Sequence, residues 1–279
     1  MPDTGFPNQD ARSDFSRARR TRMLSRLATR LRREPSDVDL ILPFEEVVEA
    51  LGRRGERSLG MQTIPLDLIV GTVDRTHGFD RSFRPTSRQG RERWERVARA
   101  QRQGEGMPPI QAYKVGEMYF VKDGHHRVSV ARAQGRTEIE GYVTEVITEV
   151  DPERALRLAD LPLKSHQRLF YERVPLPPEA RGRISLSDPW DYAKLAEGVE
   201  AWGFRAIQAC DQPMSREEVA EAWFREDYVP IVEALHEAEM IGSESETEVY
   251  LRVIGERYLL TRTHDWDDDV LERLRRAQG

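Results

Sequence analysis

The chain is poor in cysteine and lysine and has no long apolar run. A single cysteine, Cys210, stands among 279 residues. It cannot close an intrachain disulfide, and no Cys/His group has zinc-ligand spacing, so a reducing compartment and a fold without structural metal are expected. No stretch approaches the roughly 18 apolar residues of a spanning helix. The first twenty residues lack the apolar segment of a secretory signal, so a cytoplasmic protein without a membrane partner is expected. Lysine supplies four of the 43 basic residues and arginine 39. GC-rich codons produce such a bias, and so does phosphate binding, for which the guanidinium fork is better shaped than an ammonium group.

What is present suits a globular chain: 38% apolar and 33% charged residues argue against collagenous, disulfide-framed or wholly disordered classes. The length leaves room for one large domain or two modest ones. The formal charge of −6 is unevenly spread. Lys plus Arg against Asp plus Glu is 12 to 10 over residues 1–60, 14 to 12 over 61–150 and 17 to 27 over 151–279. An acidic C-terminal part therefore masks two slightly positive N-terminal ones, and an anionic partner is not excluded by the total.

Residues 1–12 are polar, with Pro2, Gly5 and Pro7, and read as a mobile leader. Residues 13–60 read as a basic helical arm. In it Leu24, Leu27, Ala28 and Leu31 recur at helical spacing among arginines, and a short helix from Phe44 to Leu51 lies between Pro43 and Gly52. A packed helix with a solvated arginine face is the plainer reading of the arm; a nucleic-acid or membrane contact is the other. Between 61 and 150 strand and helix signals alternate, which predicts an α/β (α+β) domain with a small mixed sheet. Its parts are a strand at 64–70, a long loop at 71–85, a helix at 87–103, a hairpin turning at Gly116-Glu117, and a last strand at 139–147. The remainder, 151–279, reads as an acidic, mainly helical domain. One helix starts at Pro152, another spans Trp190 to Trp202, and Ser215/Glu218 and Ser245/Glu248 form capping boxes. The last helix could alternatively be a strand at 250–260. Pro230 and the acidic surround of 215–241 do not suit a DNA-reading helix pair.

The informative element is Asp123-Gly124-His125-His126-Arg127, which joins a strand to a helix. Asp123 can cap the helix, Gly124 lets the backbone turn and approach a ligand, and first-turn N–H groups face outward. Such a helix end contributes about 0.3–1 kcal/mol to an anion, against about 8 kcal/mol for micromolar binding. Arg127, the two histidines and the arginine stretch must supply the rest. Arg88, Arg91, Arg96 and Arg99 from that stretch are candidates for phosphate or nucleic-acid contact. The alternative is an Asp123 cap, a satisfied histidine and an Arg127 surface pair.

From Ile64 to about Val146, a third of the chain, the sequence resembles the ParB/sulfiredoxin superfamily. The matching segments are Ile64-Pro65-Leu66-Asp67, Pro108-Pro109-Ile110 and the run from Asp123 to Ala131. In ParB partition proteins the corresponding turn is Gly-Glu-Arg-Arg, within a CTP pocket. In sulfiredoxin it is Gly-Cys-His-Arg and holds ATP, and free serine kinases of the superfamily use a similar turn. The resemblance implies that Gly124, His126 and Arg127 lie on the phosphate side of a site for CTP or ATP/ADP, with Mg²⁺ as companion. His125 replaces the sulfiredoxin cysteine, which argues against sulfinic acid reduction; relative to ParB, His125, His126 and Ser129 replace a Glu and two Arg.

The function so implied is that of a nucleotide-switched, nucleic-acid-associated regulatory or partition-type factor, with DNA and a second copy of the chain as candidate partners. A phosphotransferase with Asp67 or Asp74 as its acid, a ParB-like nuclease, and an interaction protein with a vestigial pocket are the alternatives. Loop capping is the simpler role for Asp67, Asp74 and Asp80, and Trp190, Trp202, Trp223 and Trp266 are assigned to the core. His77 and His264 are isolated and receive no role.

Overall fold

The structure is a computed structural model and describes residues 6–31, 40–74, 77–88, 90–153 and 156–261. It divides into two compact units, Met1–Leu161 and Pro162–Gly279. The expected boundary at 150 thus lies eleven residues early, because Leu156 is buried and its carbonyl accepts from Arg81 of the first unit at 2.6 Å.

The first unit is α/β with a mixed sheet. Helix α1 (Pro7–Leu31) is followed by β1 (Leu42–Pro43), α2 (Phe44–Leu51), β2 (Arg53–Pro65), a 3₁₀ turn and β3 (Ile69–Thr72). Then come α3 (Arg91–Arg102), β4 (Ile110–Val115), β5 (Met118–Asp123), α4 (His125–Ala133) and β6 (Glu138–Thr148). The six strands lie in the order β1-β3-β5-β4-β6-β2. β1, β3 and β5 run parallel, β4 opposes β5 and parallels β6, and β2 closes the edge antiparallel to β6. Alternation places Ala112 and Val121 in a core with Ile64, Ile69, Ile110, Val128 and Val143. Tyr113 and Phe120 instead meet Phe44 of α2, whose ring stacks on Tyr113 at 4.5 Å.

Helices α1, α3 and α4 share a second core of Ala11, Phe15, Trp94, Ala98 and Val130. Three expectations change here. The leader is helical from Pro7, and Ala11 is buried. Of the expected apolar stripe, Leu24 is 67% exposed and Ala28 half-buried, while α1 buries Ala11, Asp14 and Phe15; the side chains of Leu27 and Leu31 lie outside those described. Arg102 makes this possible by pairing with both Asp14 and Asp10, although burial still pushes the Asp14 carboxyl up. Residues 41–60 belong to the sheet unit rather than to an arm. The strand at 53–65 escapes the sequence pattern because an edge strand with both faces largely exposed has no alternation to show.

The second unit is helical, as expected: α5 (Leu161–Arg173), α6 (Pro178–Arg181), α7 (Pro189–Cys210), α8 (Arg216–Trp223), α9 (Val229–Glu237) and α10 (Glu246–Thr261). No helix begins at Pro152. Further on, Asp160 accepts from the Arg157 backbone N–H at 2.8 Å and caps a 3₁₀ turn at Leu158–Asp160. Both capping boxes form, at Ser215/Glu218 and Ser245/Glu248. A π turn, Phe224–Tyr228, absorbs the missing N–H of Pro230. The helices expected over 215–241 therefore run on without the loop of a DNA-reading pair. Trp223 is buried and donates to Tyr250 Oη at 3.0 Å, whereas Trp190 is 68% exposed and leaves the expected core; Trp202 is half-buried. Trp266 and His264 lie outside the described residues. Among the described residues, no helix is long and apolar enough to cross a membrane.

Candidate nucleotide site

The turn from β5 into α4 is positioned by both its neighbours. Gly124 is the α4 N-cap, at φ +102°, and a Cβ there would stand 2.5 Å from Ile110 Cγ2 of β4. Only glycine fits both the dihedral and the space. No side chain caps α4, so its first-turn N–H groups and dipole face the cavity in front of it. Asp123 does not take the expected capping role; its carboxylate accepts from Arg127 instead.

Arg127 also differs from expectation. Its guanidinium donates to the carbonyls of Pro108 and Pro109 as well as to Asp123, so it ties the Pro-Pro segment to the turn. His125 is buried, with a ring nitrogen 2.7 Å from Thr72 Oγ1 and its ring stacked near Phe79 and Phe83. It fixes α4 to the end of β3. His126 is the histidine that reaches open space, edge-on to Phe79 at 5.4 Å.

In front of the turn lies a cavity of about 340 Å³ lined by Asp74, Arg93, Lys122, Asp123, His126 and Arg127, among others. The arginines expected to complete it do not line it. Arg91 is held by Glu95 at 2.6 Å and lies over the Phe15 ring. Arg88, Arg96 and Arg99 are exposed and, among the described residues, make no ion pair. The α3 arginine that does line the cavity is Arg93, which shares a helix face with Val97 four residues on. The spacing of α3 carries that signal once its orientation is known. Lys122 precedes the turn directly, with its ammonium over the Tyr113 ring at 5.3 Å.

The acidic candidates separate. Asp74 stands beside the turn. Asp67 lines a different cavity, of about 840 Å³, with Arg132 and Arg136 at the other end of α4. Asp80 is a loop clamp: its carboxylate accepts from Ser82 N at 3.0 Å, Arg84 N at 2.9 Å and Arg84 Nε at 2.8 Å. Near Asp67, Arg132 donates to the carbonyls of Leu66, Ile69 and Arg81, and burial lowers its pKa to about 10. Those donors are committed to the backbone.

A second cavity, of about 350 Å³, adjoins the first. Its walls are Phe15, His77, Phe79, Pro85, Ser87 and Trp94, and it shares Asp74 and His126 with the first. Gly90, at φ +79°, leaves room for the imidazole: a Cβ there would meet His126 Cε1 at 3.3 Å. Among the described residues, no group of three or more His, Cys, Asp or Glu side chains is placed to hold a metal ion. No protein-family model, curated protein or solved structure matches the chain.

Proposed function

We propose that the chain is a ParB-like nucleotide-binding protein that takes nucleotide phosphates at the start of α4 and acts as a nucleic-acid-associated factor switched by them. The observation that carries this reading is the meeting, in one cavity, of the α4 N-terminus with Arg93 and Lys122. A helix end gives up to about 2 kcal/mol, and each charge-assisted hydrogen bond about 1.5–3 kcal/mol. Together they approach the about 8 kcal/mol of a micromolar complex. Arg127 contributes by holding the turn rather than by contact. Phe15 of α1 lines the adjoining cavity, which gives a bound nucleotide a route to the packing of α1 on Trp94, the kind of local event that biases a two-state element.

Calorimetric titration with CTP, ATP, ADP and GTP in Mg²⁺ tests this. At least one nucleotide binds, and Arg93→Ala weakens it by about tenfold, the effect of 1.4 kcal/mol. No heat with any of the four refutes the reading. For DNA, the full run of arginines over 81–102 leads one to expect about five phosphate contacts and a log–log salt slope near −4.5. With Arg93 given to the cavity and Arg88, Arg96 and Arg99 as the other exposed, unbridged members among the described residues, the expected slope is about −2.7. A salt-independent or undetectable interaction removes DNA from the partners.

A further inference from the structure

We propose that Asp74 accepts hydrogen bonds from the ribose hydroxyls of a ribonucleotide whose base lies in the aromatic cavity and whose phosphates lie at the α4 turn. The inference rests on the nucleotide reading above and adds the ligand's orientation and sugar class. The two cavities have different chemistry. One is backed by Phe15, Phe79, Pro85 and Trp94, whose rings are buried and so close an apolar recess for the base rather than offer an open stacking face. The other carries Arg93, Lys122 and the helix end. A nucleotide has its parts in the order base, ribose, phosphate, so the ribose falls at the seam.

The side chains that line both cavities are Asp74 and His126. His126 is packed edge-on against Phe79 and forms the partition. Asp74 is exposed and, among the described residues, makes no ion pair. A carboxylate is an acceptor only, with two oxygens, which matches two vicinal hydroxyl donors. It is a poor neighbour for phosphate, so its place at the seam, flanking the cationic cavity, needs a donor-bearing part of the ligand. A site built to bond a hydroxyl rejects the analogue that lacks it far more strongly than a merely apolar site does. Trp94 acts as wall rather than donor, since its indole N–H is committed to Ser129 Oγ at 2.8 Å.

The test titrates wild type and Asp74→Ala with the best-binding ribonucleoside triphosphate, its 2′-deoxy analogue and inorganic triphosphate. Asp74 is exposed, so the variant keeps the fold, which circular dichroism checks. In wild type the ribonucleotide binds about tenfold or more tighter than the deoxy form. In Asp74→Ala the two bind within about twofold of each other, and inorganic triphosphate binds no more weakly than to wild type, one negative charge having gone. Equal ribo and deoxy affinities in wild type overturn the role of Asp74 and leave the phosphate reading standing. Nucleotide binding no tighter than inorganic triphosphate overturns the base cavity. If neither nucleotide nor inorganic triphosphate binds, the nucleotide reading itself falls.

Discussion

Gly124→Ala costs the first unit about 2–4 kcal/mol and abolishes nucleotide binding by the fraction that remains folded. Two effects combine. A side chain at φ +102° pays roughly 1–3 kcal/mol of backbone strain, and the new methyl must displace Ile110 Cγ2, 2.5 Å away, in a packed core. Relief requires the turn to move, and a shift of even 1 Å takes the α4 N–H groups out of hydrogen-bond geometry. Gly135 supplies the control. It also has positive φ, +75°, but nothing lies within 4 Å of its Cβ position. Gly135→Ala therefore reports strain alone and leaves nucleotide affinity unchanged. Urea unfolding and titration of both variants check this; equal effects at the two glycines would show that the contact with Ile110 is not what shapes the turn.

Trp94→Ala destabilises the first unit by about 3–5 kcal/mol, the range for deleting a fully buried tryptophan. The indole is the centre of the α1-α3-α4 layer: Phe15 meets it edge-on at 5.5 Å, and its N–H donates to Ser129. Its loss strips α1 of its main apolar anchor, so limited proteolysis within residues 6–31 rises with the destabilisation. Trp190→Ala, in the second unit and 68% exposed, changes stability by less than about 0.5 kcal/mol. A Trp94→Ala loss below 1 kcal/mol would mean that α1 is not held by this layer.

The two tryptophans show where sequence reasoning stops. Trp94 has Val97 and Ala98 three and four residues on, whereas Trp190 opens its helix after Asp188-Pro189 with Ala193 and Lys194 at that spacing. The apolar stripe is weaker beside the residue in solvent, and assigning tryptophans to the core by residue type passes over that difference. Elements with their own punctuation are legible: Pro43 and Gly52 around α2, the capping boxes of α8 and α10, the Gly116 turn, and the strand-turn-helix at Gly124. Elements made by pairing are not. β2 is polar and has β6 as its reason to be extended. The buried face of α1 includes Asp10 and Asp14, which hydrophobicity counts as surface until Arg102 is seen opposite them.

The candidate site divides the same way. Its turn was readable because glycine, histidine and arginine at a strand end have few uses, but the roles of individual side chains depended on what they meet. Arg127 points back to the Pro108 and Pro109 carbonyls, His125 to Thr72, and Arg93, rather than Arg91 or Arg96, faces the cavity. A linear string of arginines carries no such phase information until the helix is packed.

Amide hydrogen exchange with and without saturating nucleotide tests the central claim most directly. If phosphates sit on the α4 N-terminus, the amides from Gly124 to Val128 slow on binding, as do those around Asp74 and Arg93, while the C-terminal unit's capping boxes exchange unchanged. Nucleotide binding that leaves 124–128 unprotected, or protects only residues beyond 161, would contradict the account.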